Sequence, residues 1–292
     1  MTALIGIDWG TTSFRAWRMG AGGEVLDTVS DGRGILAAAA LPGGFRQALT
    51  DTIGGWLDSA PVIASGMITS RNGWIETPYL PLPLDAAALA GSLTLHDGIH
   101  FVTGAVSDPD GPAPDVMRGE ETEIIGHLAG GGGDGLFVLP GTHSKWARAD
   151  GGKLTAFRTV MTGEVFAALR DHTILGRLIQ PGAGSEDAFR RGLKAGRQDG
   201  ALLGRVFSAR TLALMDRLAP DQIADYLSGL LIGDEVAQGA RDAGGPVTII
   251  GRGDLAARYR TAFAVLGIDA QIAPPGMARR GLWEIARMGG LL

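Results

Sequence analysis

Leu4-Ile5-Gly6-Ile7-Asp8-Trp9-Gly10-Thr11-Thr12-Ser13 and Leu136-Phe137-Val138-Leu139-Pro140-Gly141-Thr142-His143-Ser144 are one pattern written twice. Each is an apolar run ending in Gly-Thr-x-Ser. Each continues into a second apolar stretch, Phe14 to Met19 in the first copy and Lys145-Trp146-Ala147 in the other. A Gly-Gly turn follows, at Gly22-Gly23 and Gly151-Gly152, and then Glu24-Val25-Leu26 and Lys153-Leu154. Both places read as strand, turn, strand, turn, strand. Glycine lets a ligand approach the backbone, and successive N–H groups with threonine and serine hydroxyls can line an anion-binding concavity. Two such hairpins facing each other would suit a polyphosphate held between two halves of a molecule. The competing reading is a pair of ordinary glycine turns.

The rest of the composition bounds the class. With 292 residues and 45% hydrophobic side chains, the chain can bury roughly two cores. The formal net charge of −5 and the scattered basic residues argue against nucleic acid as a partner. The absence of cysteine excludes disulfides, thiolate metal ligands and a cysteine nucleophile. No basic segment and apolar core open the chain, and charges interrupt every apolar stretch well before about 18 residues. The expectation is a soluble cytoplasmic protein with no membrane partner, its self-association left open. The glycine run Gly130 to Gly133, with Gly135, is linker-like and precedes the second hairpin. It places the boundary of two domains at 1–132 and 133–292, with a C-terminal helix returning to the first.

Between the hairpins, helices are predicted over 44–57 and 120–128, and strands over 61–64 and 99–105, with a loop at 68–84. Beyond the second hairpin come helices near 164–170 and 187–194 and a long one over 221–241. A strand at 247–250, a helix at 255–266 and a strand near 270–273 follow. The fold class is α/β, with ligands expected at strand ends and between the halves.

The two copies differ where chemistry would enter. Asp8 closes the first strand, whereas Leu139 and Pro140 occupy that stretch in the second. A carboxylate beside a phosphate-binding turn suits magnesium, which prefers oxygen ligands and keeps waters; a turn-capping role is the alternative. Phosphoryl transfer also needs a base near the acceptor hydroxyl. Met117-Arg118-Gly119-Glu120-Glu121-Thr122 enters a predicted helix just upstream of the second hairpin. Exposed N–H groups there favour a carboxylate as its anion, the form a base needs, which makes Glu120 or Glu121 the candidate base. Acidic residues are equally routine in a first helical turn. There is no P-loop motif, and Gly251-Arg252-Gly253 is too short for a dinucleotide fingerprint. The histidines show no ligand-like pair spacing, so His143 reads as a phosphate hydrogen-bond donor.

With these residues assembled, the chain resembles the actin-like sugar kinase superfamily, and within it the 2-dehydro-3-deoxygalactonokinase family. The resemblance runs through residues 7–12, 116–122, 139–146, 157–164 and 227–233, the 139–146 and 157–164 runs being the most specific. It implies two duplicated ribonuclease-H-like domains with an interdomain cleft, and ATP-dependent phosphorylation of the terminal hydroxyl of 2-dehydro-3-deoxy-D-galactonate. Gly10, Thr11, Thr12, Ser13 and Arg15 would hold ATP phosphates from one side, and Gly141, Thr142, His143, Ser144 and Lys145 from the other. Gly251, Arg252 and Gly253 would face adenine and ribose. Ser65, Gly66, Met67, Asn72 and Trp74 would lie on the sugar-acid side, with Arg118 and Arg158 as candidate carboxylate-gripping cations. Mg2+ would sit at Asp8. Related kinases often carry Gly-Asp where this chain has Gly119-Glu120. A kinase for another sugar acid or sugar, a non-catalytic nucleotide or sugar sensor, and a polyphosphate hydrolase are the alternatives.

Overall fold

The computed structural model describes Met1–Arg241 and Ala243–Leu292. Along the chain the elements are β1 (Thr2–Trp9), β2 (Phe14–Gly20), β3 (Val25–Asp31), α1 (Ile35–Ala39), α2 (Gly44–Ile53), β4 (Val62–Ser65), β5 (Tyr79–Pro81), α3 (Ala86–Gly91), β6 (Thr94–His96), β7 (Ile99–Phe101), β8 (Gly104–Ser107), β9 (Asp115–Met117) and α4 (Glu120–Ala129). They continue as β10 (Gly135–Leu139), β11 (Ser144–Asp150), β12 (Lys153–Val160), α5 (Thr162–His172), α6 (Glu186–Gly196), α7 (Leu202–Val206), α8 (Ser208–Leu214), α9 (Ile223–Gly239), β13 (Val247–Ile249), α10 (Gly253–Leu266), β14 (Ala270–Ile272) and α11 (Met277–Met288).

Two compact units result. The first comprises Met1–Asp134, Ala147–Arg158 and Pro274–Leu292, and the second Gly135–Trp146 and Thr159–Ala273. The chain changes unit at Asp134/Gly135, and α11 lies in the first unit. The outer parts of β11 and β12 also count with the first unit, because grouping follows contacts in space rather than chain order.

In the first unit a six-stranded sheet has the order β3-β2-β1-β4-β7-β6. β1 runs antiparallel to β2 and parallel to β4, so the first hairpin forms one side of a parallel core. Leu4 to Ile7 are all buried, which fits a central strand covered on both faces. One face carries Trp9, Phe14, Ile35, Leu49 and Phe101. On the other, Leu282 of α11 lies close over Gly6, where an added Cβ would be 3.3 Å from Leu282 Cδ1. α11 also crosses α4 at backbone contact: a Cβ on Gly281 would lie 1.9 Å from the Thr122 carbonyl oxygen. The predicted strand over 99–105 is two strands. β7 joins the large sheet, and β8 joins a small one ordered β5-β8-β9.

In the second unit β10, β13 and β14 run parallel, within a sheet of order β12-β11-β10-β13-β14. The buried helix α9 packs on α6 through glycines. A Cβ on Gly229 would lie 2.1 Å from the Phe189 carbonyl oxygen, and one on Gly192 equally close to that of Tyr226. The family-like run at 227–233 is therefore a helix-crossing surface, far more about packing than about ligand. α7 and α8 were not legible in the sequence. No helix among the described residues is long and apolar enough to cross a membrane.

Candidate active site

The first turn is a fixed backbone with free hydroxyls. β1 stops at Trp9 and β2 starts at Phe14, and Gly10 N–H closes the turn onto the Ser13 carbonyl at 2.9 Å. Thr11, Thr12 and Ser13 are exposed. The following segment braces the turn from below. Ile35 N–H donates to the Gly10 carbonyl at 3.0 Å, and Trp9 Nε1 donates to the Arg33 carbonyl at 3.0 Å. A side chain on Gly34 would start 2.2 Å from the Thr11 carbonyl oxygen, so the turn lies directly on that glycine.

Asp8 stands just inside the turn, paired across the sheet with Arg15 and, in the parallel direction, with Ser65. Arg15 Nη2 donates to Asp8 Oδ2 at 2.6 Å. Burial pushes the Asp8 carboxyl up, and the Arg15 charge and hydrogen bond oppose it. Ser65 is 1% exposed, and its Oγ makes no hydrogen bond among the described residues. Gly66 follows with φ +98°; a Cβ there would meet the Trp9 carbonyl oxygen at 2.8 Å and Asp8 Oδ1 at 3.3 Å. Only glycine fits that left-handed backbone beside the carboxylate. Gly119, with φ +105°, comes to the same place, its would-be Cβ 3.1 Å from Gly66 Cα. The strand that carries Ser65 and the helix start that carries Glu120 thus meet beside Asp8.

The helix start separates its glutamates. Glu121 is 1% exposed and turns back on its own backbone, taking the Gly119 N–H on both carboxyl oxygens at 2.8 and 3.0 Å and the Thr122 hydroxyl at 3.0 Å. Burial, and after it the Glu120 charge, push it up to about 8. Glu120 is half-buried, and its Oε2 accepts from the Arg118 N–H at 3.1 Å. Glu123, one helical turn on, was missed in the sequence. It is pushed up to about 8 by burial and then by the Asp8 charge, with Arg15 acting the other way. The i,i+3 spacing from Glu120 was the available signal.

Arg118 corrects an expectation. It is 8% exposed, and Nη1 donates to Thr69 Oγ1 at 2.9 Å and Thr77 Oγ1 at 2.7 Å, while Nη2 donates to the Thr77 carbonyl at 2.5 Å. Its guanidinium also lies over the Tyr79 ring, 4.0 Å from the centroid. A fork held this way braces the 66–77 loop from a buried position, which does not suit it to grip a substrate carboxylate. Trp74 is likewise a packing residue, edge-on to Trp9 at 6.5 Å and stacked with Phe45 at 6.2 Å. Asn72 and Arg158 are exposed and Met67 is half-buried. Arg158 makes no ion pair among the described residues, which leaves it available to an anion.

The second turn repeats the first, shifted by one residue. β10 ends at Leu139 and β11 begins at Ser144, so the turn is Pro140–His143. On the first strand Val138 pairs with Ile249 as Ile7 pairs with Ala64, so Leu139 takes the place of Asp8, whereas on the return strand Ser144 takes the place of Phe14. Ser144 accordingly points inward, fully buried, its Oγ 3.0 Å from Tyr259 Oη. Lys145 is 6% exposed and its Nζ donates to Thr159 Oγ1 at 2.6 Å. Both leave the set of direct phosphate contacts predicted from the sequence. Gly141, Thr142 and His143 remain at the tip. His143 Nε2 is 2.5 Å from Glu164 Oε2, and Glu164 N–H donates to the Thr142 carbonyl at 2.9 Å. Gly251 lies against Pro140, its would-be Cβ 3.4 Å from Pro140 Cδ, which sets the exposed Gly251-Arg252-Gly253 loop next to the turn at the start of α10.

Residues 8–285 match the model of the 2-keto-3-deoxy-galactonokinase family. The chain belongs to that family. It is 38% identical over 278 residues to the 2-dehydro-3-deoxygalactonokinase of Escherichia coli K12, covering 92% of each chain. A crystal structure of a Sinorhizobium meliloti protein assigned as a 2-dehydro-3-deoxygalactonokinase superposes with a TM-score of 0.89 at 34% identity, over 97% of this chain and 98% of that one. Component A of the (R)-2-hydroxyglutaryl-CoA dehydratase of Acidaminococcus fermentans, at 14% identity and a TM-score of 0.55 over 99% of both chains, shares the fold alone. The fold class is the α/β actin-like ATPase arrangement that the resemblance implied.

Proposed function

We propose that this protein is a carbohydrate kinase that transfers the γ-phosphoryl group of ATP to the terminal hydroxyl of 2-dehydro-3-deoxy-D-galactonate, giving the 6-phosphate and ADP. Family membership across residues 8–285 carries the reading. The geometry supports a division of roles. The substrate hydroxyl oxygen bonds to the γ-phosphorus as the bond to the β–γ bridging oxygen breaks, and the hydroxyl proton passes to Glu120. Glu120 suits this because it is half-buried rather than sealed and stands at a helix N-terminus that favours its anion. Glu121, sealed from solvent with both carboxyl oxygens on the Gly119 N–H and pushed toward its neutral form, suits the role less. The exposed hydroxyls of Thr11, Thr12 and Ser13 and the Gly141–His143 tip hold phosphates; Gly251–Gly253 lie toward the nucleoside. Ser65, Gly66 and Met67, with Arg158 as the cation left for the carboxylate, take the sugar acid.

The residues present fit magnesium held mainly by the nucleotide. No group of three or more acidic or histidine side chains among the described residues is arranged to close on a metal. Asp8 keeps one carboxyl oxygen beside Gly66 while the other takes Arg15, so Asp8 would anchor the ion through one oxygen or a bound water. Magnesium when bound neutralises charge on the phosphoryl oxygens. An ADP-release assay over a panel of sugar acids tests the acceptor. Glu120→Gln should lower kcat about 10²–10⁴-fold with ATP affinity nearly intact. Unslowed single-turnover phosphorylation in that variant would remove Glu120 from the role.

A further inference from the structure

Glu235 lies 3% exposed in α9, within the second unit, and the chemistry above makes no use of it. Its carboxylate is nonetheless fully engaged. Trp146 Nε1 donates to Oε1 at 2.8 Å, and Tyr259 Oη donates to Oε2 at 2.5 Å. The Thr162 and Ser144 hydroxyls reach it as well. Because Tyr259 spends its proton on Glu235, the Ser144 hydroxyl is left as the donor across the 3.0 Å contact to Tyr259. The result is a one-way chain, Ser144 to Tyr259 to Glu235, converging with Trp146 and Thr162.

Every partner adjoins the second turn. Ser144 directly follows His143, and Trp146 is two residues further along β11. Thr162 opens α5, whose next residue, Gly163, presses on the turn: a Cβ there would be 2.4 Å from the Gly141 carbonyl oxygen and 2.8 Å from Thr142 Cα. Trp146 is seated by the same helix that carries Glu235, since a Cβ on Gly239 would be 2.3 Å from its ring. Glu235 and Gly239 are one turn apart on one face of α9. A purely apolar core would need none of this, and burying a carboxylate is costly unless donors surround it. Here they do.

We infer that Glu235 is a positioning residue for nucleotide binding: through Trp146, Tyr259–Ser144 and Thr162 it locks both flanks of the Gly141-Thr142-His143 turn in the geometry that receives ATP phosphate. This inference rests on the reading of that turn as a phosphate site, and the test separates the two. The variants are Glu235→Gln, which keeps the shape but turns an NH2 toward a site built from donors, and Tyr259→Phe, which removes only the Tyr259 hydroxyl. Gly141→Val is the control that blocks the turn itself. ATP and sugar-acid Kd values are measured by calorimetry on the full chain, well below each variant's melting temperature. Loss of one buried hydrogen bond at a preorganised site corresponds to about a tenfold change. Both positioning variants are therefore expected to weaken ATP by about tenfold with sugar-acid Kd unchanged, and the Gln variant to recover more affinity than Glu235→Leu. A lowered melting temperature with unaltered ATP Kd would make the network a stability element and overturn the inference. If Gly141→Val leaves ATP Kd unaltered, the turn is not the phosphate site and both fall. If only Gly141→Val weakens ATP, the turn reading stands and the role of Glu235 fails. Should Glu235→Gln not fold, Tyr259→Phe alone decides.

Discussion

Glu121→Gln should stabilise the protein increasingly as pH rises, the reverse of what removing a buried, three-times hydrogen-bonded carboxylate suggests. The Glu121 carboxyl is raised from 4.5 to about 8, first by burial and then by Glu120. An acid with a raised folded pKa binds more protons folded than unfolded between those values. Its contribution to stability is complete below about 4.5 and is lost progressively as pH climbs to about 8. Each pH unit in that window removes about 1.4 kcal/mol, so the full loss is on the order of 5 kcal/mol as an upper bound. Glutamine does not titrate and escapes the loss. It does cost something, because Gly119 N–H reaches both carboxyl oxygens and one becomes an NH2, an expense of about 1 kcal/mol. The variant should therefore melt slightly below wild type near pH 4.5, above it by pH 7, and furthest above it past pH 8. Thermal midpoints of both proteins at half-unit pH steps make the comparison. The wild-type slope also contains Glu123, raised to a similar value, so the variant's curve should be flatter rather than flat. Parallel curves would show that Glu121 is ionised in the folded protein across the range, and the argument that disfavours it as the base would collapse.

Two further outcomes follow from the same unit. Asp8→Asn should cut turnover by orders of magnitude while the melting temperature changes little, because the lost Arg15 pairing is offset by relief of a buried charge; near-normal turnover at saturating magnesium would leave Asp8 a turn cap. Arg118→Lys should raise KM for the sugar acid more than for ATP and cost about 1–3 kcal/mol of stability, since an ammonium cannot reach Thr69, Thr77 and the Tyr79 face together. A uniform fall in kcat with both KM values unchanged would contradict its role as a brace of the 66–77 loop.

What could be read in the sequence was local. The two Gly-Thr-x-Ser turns, the strands before them and the long helix α9 announce themselves through turn chemistry and period, which need only neighbouring residues. Contacts across long chain separations could not be read. Arg118 looks like a free cation until Thr69 and Thr77, 49 and 41 residues earlier, close on it. Glu235 looks like a surface acid in a helix until Trp146, 89 residues away, donates to it. The pair at 99–105 looked like one strand because both β7 and β8 are apolar, and nothing local says that the chain changes sheets at Val102-Thr103. Glu123 was passed over because an acid in a first helical turn is common, and its distinction comes only from the nearness of Asp8.

The one-residue shift between the hairpins explains why duplicated turns hold different chemistry. Aligning the motifs by glycine pairs Ser13 with Ser144, yet the strands pair Ser144 with Phe14, a core position. A serine driven into a core must find a partner, and Tyr259 with Glu235 supplies one. Leu139 stands where the first copy has Asp8, so the second turn has no carboxylate of its own beneath it. Carboxylates therefore gather at the first turn, where Asp8, Glu120 and Glu123 stand near Arg15, and in the proposed function the second would hold phosphate by backbone, Thr142 and His143. In a phosphoryl transfer the attacked group and the leaving group make opposite demands. One needs a base and a place for a cation, and the other needs donors that do not react. Under the proposed function, a repeat whose return strands differ by a single residue of register would provide for both on the same backbone.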